Sequence, residues 1–355
     1  MKDRIRSFEY WGFALFLFIF LGVPLSHAQN LPTVAIITTG GTIAEKIDPK
    51  TGGAVPALTG KDLLGAVPGL GQIAHIKMIN FMNIDSSHMT PEIWASLSKK
   101  VDEVLLDPEI KGVVITHGTD SMTEGSFFLD ITLKTKKPVV FVGAMRNASD
   151  ISPDGPSNIY NAVIQACSDE ANDWGVTVTL NQYINSAWDV RKTQSYNVQT
   201  FMSREKGYLG YIVQGKVYRL NDRIHRVTLP IPEKMPEVAL LKSYAGDDGR
   251  FIRYAVNEGA EGIVVEGVGS GNVNADVYGA ILYALKKRVA VVLTTRVDYG
   301  GVWPMYGDVG GGTTLKKAGV IFGDNFTGPK ARLMLMLALP EVSGDFDKLN
   351  KYFKR

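Results

Sequence analysis

Val34-Ala35-Ile36-Ile37-Thr38-Thr39-Gly40-Gly41-Thr42-Ile43-Ala44 joins an apolar run to a glycine pair and a hydroxyl. A short apolar run closed by turn formers reads as a buried strand. The two glycines let the chain turn sharply and bring its backbone close to a ligand. Thr42 then stands at the mouth of the first strand. A plain tight turn or a phosphate loop would also fit. The stretch lacks the Lys-Ser/Thr ending of a P-loop and the third glycine of a dinucleotide fingerprint.

Working outward, similar runs recur at Gly112–Ile115, Val139–Val142, Val176–Thr179, Ile263–Val265 and Val289–Leu293. Between them, Pro91–Leu106, Ser157–Cys167 and Asn274–Lys287 carry apolar residues at helical spacing. Strand and helix alternating in this way predict an α/β fold with a mostly parallel sheet covered on both faces. Ligands in such folds bind beyond the carboxyl ends of the strands. Val178–Tyr183 and Ile212–Tyr218 are candidates for a hairpin or edge strands. Three prolines in Leu229–Pro236 fix φ and remove donors, so residues 229–236 read as a linker, with a strand starting near Glu237.

The chain has 355 residues, long enough for two domains, and a formal net charge of +2. No basic cluster marks a nucleic-acid partner. Lys2, Arg4 and Arg6 precede an apolar run from Trp11 to Leu25, and Ser26-His27-Ala28 places small residues before Gln29. This is the layout of a signal peptide over residues 1–28, cleaved on export to the periplasm or beyond. A run of about 15 residues is short for a membrane span, so no stable anchor is expected once the leader is removed. Cys167 is the only cysteine, so no internal disulfide is possible, and a buried structural role is expected for it.

The second motif is Ile115-Thr116-His117-Gly118-Thr119-Asp120-Ser121-Met122-Thr123-Glu124, again after a buried strand. It sets a hydroxyl, a carboxylate and a second hydroxyl at one strand end. A helix cap would use the same residue types, but capping does not need the whole block. Trp188-Asp189-Val190-Arg191-Lys192-Thr193 supplies a lysine that would read alone as a solvated surface residue.

Thr39-Gly40-Gly41-Thr42-Ile43-Ala44 and Thr116-His117-Gly118-Thr119-Asp120 together resemble the two signatures of the bacterial type II (periplasmic) L-asparaginases and glutaminase-asparaginases. Collinear blocks extend the resemblance over nearly all of the mature chain: Gly143–Arg146, Asp154–Asn158, Asp189–Thr193 and Gly328–Arg332. The resemblance implies a larger N-terminal domain with a mostly parallel sheet over residues 29–228. It also implies a smaller C-terminal flavodoxin-like α/β domain over residues 237–355.

It further implies a threonine acyl-enzyme. Thr42 would attack the side-chain amide carbon of a free amino acid, ammonia would leave, and water would cleave the ester. Backbone N–H groups around Gly41 and Thr119 are the expected oxyanion donors, each worth about 3 kcal/mol. Thr119, Asp120 and Lys192 match the family's second catalytic cluster, a relay in which a lysine beside a carboxylate polarises a hydroxyl. Asp120 would also pair with the substrate's α-amino group, and Ser86 would hold its α-carboxylate. Gly41, Gly118, Ser87, Ser270 and Asp308 complete the substrate contacts. No metal and no cofactor are implied. The family assembles as a homotetramer with active sites shared between subunits, and Ser270 and Asp308 are the residues expected to cross.

The departures from the family pattern are specific. The stretch Asp48–Pro56 lacks the tyrosine that assists the nucleophile in many members. Ser87, Trp188 and Ser270 replace a frequent glutamine, arginine and asparagine, and Asp308 replaces a glutamate. These positions are expected around the substrate's α end and the lid. The expected reaction is hydrolysis of L-asparagine. The alternatives are glutamine as main or equal substrate, and a non-catalytic amino-acid-binding protein of the same fold. A nucleotide-binding protein built on the glycine turns would be stabilised by nucleotides, which is not expected.

Overall fold

The computed structural model describes residues 31–56 and 60–353, so the expected leader lies outside the described residues. Twelve strands lie before residue 229 among the described residues. They are β1 (Thr33–Gly40), β2 (Glu45–Ile47), β3 (Ala54–Pro56), β4 (His75–Ile84), β5 (Ile110–Thr116) and β6 (Val139–Val142), followed by β7 (Val176–Leu180), β8 (Tyr183–Ser186), β9 (Arg191–Lys192), β10 (Phe201–Met202), β11 (Gly210–Val213) and β12 (Lys216–Arg219). The helices of this part are α1 (Gly60–Gly65), α2 (Pro91–Leu105), α3 (Met122–Asp130) and α4 (Gly155–Cys167). After residue 236 come β13 (Val238–Lys242), α5 (Arg250–Asn257), β14 (Gly262–Gly267), α6 (Ala275–Lys286), β15 (Ala290–Thr295), α7 (Gly312–Lys317), β16 (Ile321–Phe322) and α8 (Gly328–Ala338).

Eight strands form the large sheet in the order β12-β11-β8-β7-β6-β5-β1-β4. β4, β1, β5, β6 and β7 run parallel, and the continuous apolar runs of β1, β5, β6 and β7 suit strands covered on both faces. β8, β11 and β12 continue the sheet antiparallel, and β11 and β12 form its edge hairpin. A four-stranded parallel sheet, β13-β14-β15-β16, makes the second layer system. Thus the larger N-terminal part is mostly parallel and the smaller C-terminal part is wholly parallel.

α8 joins the two parts. Nine of its residues are buried, Lys330 among them. Its apolar side chains lie in one cluster with Phe127 and Leu129 of α3 and with Val264 and Val292 of the small sheet. Cys167 ends α4 half-buried, and burial pushes its thiol up to about 11, so it behaves as a packing group. No helix among the described residues is long and apolar enough to cross a membrane.

Candidate active site

β1 lies between β4 and β5, so the loops leaving all three strands meet at one sheet edge. Two glycines make that meeting possible. Gly40 and Gly41 have φ of 105° and 83°, a region that strongly disfavours side chains. A Cβ on Gly40 would stand 2.4 Å from the Ile84 carbonyl oxygen, and one on Gly41 would stand 2.2 Å from Gly118 Cα. The N–H of Gly41 donates to the Ile84 carbonyl (3.1 Å). That N–H is therefore committed, and an oxyanion donor on this side has to come from a neighbouring residue. Gly41 serves the site through its missing side chain.

Thr42 opens a one-turn 3-10 helix, Thr42–Ala44, and is half-buried. Glu45 closes the turn, its N–H donating to the Thr42 carbonyl. Its carboxyl side chain is buried in the same turn as Thr42. Burial is the first cause raising that carboxyl above its ordinary range. The Asp85 and Asp120 carboxylates add to the rise, while the Thr42 hydroxyl opposes it. Nothing in the linear pattern of the first motif singles Glu45 out; the backward fold of the turn does.

The second motif follows β5. Thr39 Oγ1 donates to the Thr116 carbonyl (2.8 Å), tying the two strand ends together. Lys192 Nζ, carried on β9, donates to Thr119 Oγ1 at 3.0 Å and to Asp120 Oδ1 at 2.6 Å. Thr119 is buried, whereas the Asp120 side chain remains two-thirds exposed. One lysine thus holds a hydroxyl and a carboxylate that faces open solvent.

Ser86 is buried on the adjoining loop after β4. Its hydroxyl accepts the Asp120 N–H (3.3 Å), and its carbonyl accepts from the Ser121 hydroxyl (2.6 Å). A Cβ on Gly118 would lie 2.5 Å from Ser86 Oγ, so Gly118 is required by the same close packing. Ser87 is exposed, and its N–H donates to Asp85 Oδ1 (2.7 Å). Hydrogen bonds from the Ser87 backbone and hydroxyl hold the Asp85 carboxyl below its usual range.

His117 is fully buried and stays neutral, its pKa lowered by burial to about 4. Trp94 Nε1 donates to its Nε2 (3.4 Å), which leaves Nδ1 to carry the proton towards the Gly118 carbonyl (2.7 Å). The ring is a structural post beneath the motif. Among the described residues, no three His, Cys, Asp or Glu side chains converge as metal ligands would.

The strand bearing Lys192 is anchored from far away in sequence. Lys330 of α8 donates to the carbonyls of Ala187 (2.8 Å), Trp188 (3.0 Å) and Val190 (2.6 Å). Arg191 Nη2 donates to the Asn325 carbonyl (2.6 Å), and β9 pairs with β10 on its other side. Burial drives the Lys330 ammonium down to about 7. Trp188 corrects one expectation. It does not face the substrate's α end but packs among Phe127, Phe326 and His225, because a large apolar ring gains most from that core.

Ser270 and Asp308 lie in the C-terminal part, and their hydrogen bonds stay there. The Ser270 carbonyl accepts from the Trp303 N–H (3.0 Å), and Asp308 Oδ1 accepts from the Val309 N–H (2.7 Å). Within this chain, Gly41, Thr42, Ser86, Ser87, Gly118, Thr119, Asp120 and Lys192 share one sheet edge; Ser270 and Asp308 are held elsewhere.

Comparison with known proteins adds independent findings. The family model "Asparaginase, N-terminal" matches residues 33–225, and "Glutaminase/Asparaginase C-terminal domain" matches residues 237–353. A probable periplasmic L-asparaginase of Haemophilus influenzae is 37% identical over 94% of this chain and 96% of its own. A glutaminase-asparaginase of Pseudomonas fluorescens biotype A is 33% identical over 85% of this chain and 86% of its own. Among solved structures, a probable cytoplasmic L-asparaginase from Campylobacter jejuni superposes with a TM-score of 0.82. It is 40% identical and covers 91% of this chain and 99% of that one.

Proposed function

The chain belongs to the asparaginase family, and from that premise we propose that it hydrolyses L-asparagine to L-aspartate and ammonia through an ester on Thr42. The observation that carries the reading is the position of Lys192 Nζ between Thr119 Oγ1 and Asp120 Oδ1. The Gly41–Gly118 contact brings the Thr42 turn alongside that trio.

Thr42 supplies the nucleophilic oxygen. Lys192 polarises the Thr119 hydroxyl, which in the second step orients water for attack on the ester. Asp120, open to solvent on one side, receives the substrate's α-amino group, and the Ser86 hydroxyl donates to its α-carboxylate. Holding both α groups selects free amino acids over peptides, because a peptide has neither group free. Gly118 and Ser87 shape the floor of this subsite. We assign the two bodies to residues 29–228 and 237–355, joined by residues 229–236.

The test is ammonia release from asparagine and from glutamine by the purified protein. Wild type is expected to release it from asparagine, and no release from either amide would overturn the reading. Thr42→Ala is expected to lower turnover by more than about 10³-fold while leaving substrate binding intact. Lys192→Met is expected to lose about 10²-fold or more. Near-normal turnover in Thr42→Ala would displace Thr42 as nucleophile.

A second reading, glutamine as main or equal substrate, turns on Asp308. Its carboxylate is one methylene shorter than the glutamate of the glutaminase-asparaginase subgroup. One methylene of substrate is worth only about 1–3 kcal/mol, so the ratio of the two kcat/KM values decides. We further infer export, from the leader layout of residues 1–28. We also infer assembly into a homotetramer whose Ser270 and Asp308 complete a neighbour's site. The related proteins carry both periplasmic and cytoplasmic names, so cell fractionation is the test of export.

A further inference from the structure

We propose that Glu45 is the proton acceptor for Thr42, a carboxylate within the same turn that does the work of the tyrosine absent from Asp48–Pro56. This rests on Thr42 being the nucleophile. The geometry is local and firmly held. Glu45 is three residues beyond Thr42, and the 3-10 turn brings residues at that spacing onto one side. Its backbone is fixed at three points. The N–H donates to the Thr42 carbonyl, the carbonyl accepts from the Ala148 N–H (3.3 Å), and β2 pairs Glu45 with Pro56 of β3. The side chain is only 5% exposed and belongs to the same turn as the Thr42 hydroxyl, the reacting atom itself.

A buried carboxylate normally needs a full set of donors or a cation. The charged groups that face Glu45 are Asp85, from the turn after β4, and Asp120, from the loop after β5; both are acidic. Lys192 lies beyond Asp120 and is engaged by it. The carboxyl is therefore held in a state that accepts a proton more readily than an ordinary glutamate. Such a group suits general-base work better than structural pairing.

The Thr42 Oγ–H bond breaks as the Oγ–C bond to the amide carbon forms. The proton goes to the Glu45 carboxylate, and the C=O electron pair moves to oxygen. On collapse, the C–N bond breaks and the leaving nitrogen takes that proton, departing as ammonia. Water then gives a proton to Glu45 as it attacks the ester, and Thr42 Oγ regains that proton as it leaves.

The experiment measures ammonia release across pH for wild type, Glu45→Gln and Glu45→Ala. Wild type is expected to show an acid limb in kcat/KM above the ordinary carboxylate range, rate being lost as Glu45 protonates. Glu45→Gln is expected to lower kcat by about 10²-fold or more, leave KM near its wild-type value and abolish that limb. A kcat within about threefold of wild type, or a lower kcat with the limb intact, would overturn the assignment. If Glu45→Gln does not fold, Glu45→Ala with sodium formate decides. A saturable rise of rate with formate supports a proton-accepting role, and no rise refutes it. Wild type inactive on both amides would instead overturn the amidohydrolase reading, so the two failures are distinct.

Discussion

His117 is the residue whose role is least visible from its surroundings in sequence. It stands beside Thr119 and Asp120 in sequence, and the fold buries it completely between Trp94 and Phe141 and keeps it neutral. Its pKa falls from 6.5 in the unfolded chain to about 4 in the folded one. The group therefore contributes nothing to pH dependence above pH 6.5. As pH falls from 6.5 towards 4, the unfolded state binds a proton that the folded state refuses, and stability is lost. Wild type is expected to lose about 2 kcal/mol more than His117→Asn between pH 7 and pH 4.5. Chemical denaturation at the two pH values measures the difference, and equal losses would refute it. Thr42, Thr119, Asp120 and Lys192 were legible as motifs because each closes a strand or sits in a recognisable block. Glu45 was not, because its meaning depends on a side chain turning back over one 3-10 turn. Trp188 was misread because a residue aligned with a polar one carries no mark of which way its ring points.

At the level of elements, continuous apolar runs made β1, β5, β6, β7, β14 and β15 legible, since strands covered on both faces can hold little else. β4 was harder to see. Its residues alternate between exposed and half-buried, as befits an edge strand, and no run of fully buried positions marks it. α8 was also illegible as an element. Gly328–Arg332 reads as a family block, and only the fold shows Lys330 reaching three carbonyls of the segment that leads to Lys192. Lys330→Met keeps the stem but leaves those carbonyls without their donor. Each unsatisfied buried acceptor costs about 1–3 kcal/mol, so a loss of at least about 2 kcal/mol is expected. A fall in kcat larger than any change in KM should accompany it, because β9 aims Lys192. Thermal melting and steady-state kinetics on the same preparation check both, and an unchanged kcat would separate α8 from the site.

For the whole molecule, two α/β parts of unequal size were legible from strand and helix alternating along the chain. The shared core around α8, which makes the two parts pack as one body, was not. Long-range packing of an apolar helix leaves no local trace. Segment 297–309 displays Val297, Tyr299, Trp303, Met305, Tyr306 and Val309 to solvent, a density of large apolar residues that monomeric surfaces rarely carry. Asp308 lies within this segment, and the Ser270 carbonyl is bonded to Trp303. The segment is expected to be covered by a second copy. Light scattering should give a tetramer for wild type, and Met305→Lys with Tyr306→Lys should give smaller species with lower kcat/KM. A fully active wild-type monomer would refute the shared site.

Lys330 is made 138 residues after Lys192, whose strand it braces. The ribosome makes Thr42, Thr119, Asp120 and Lys192 within the first 192 residues, but the strut beneath the lysine strand does not exist until residue 330 has been synthesised. A nascent chain thus carries the proposed Thr42, Thr119, Asp120 and Lys192 long before it carries the group that braces the lysine's strand. On the proposed reading, a working site waits for residue 330 to be made, with no inhibitor and no cleavage needed to delay it.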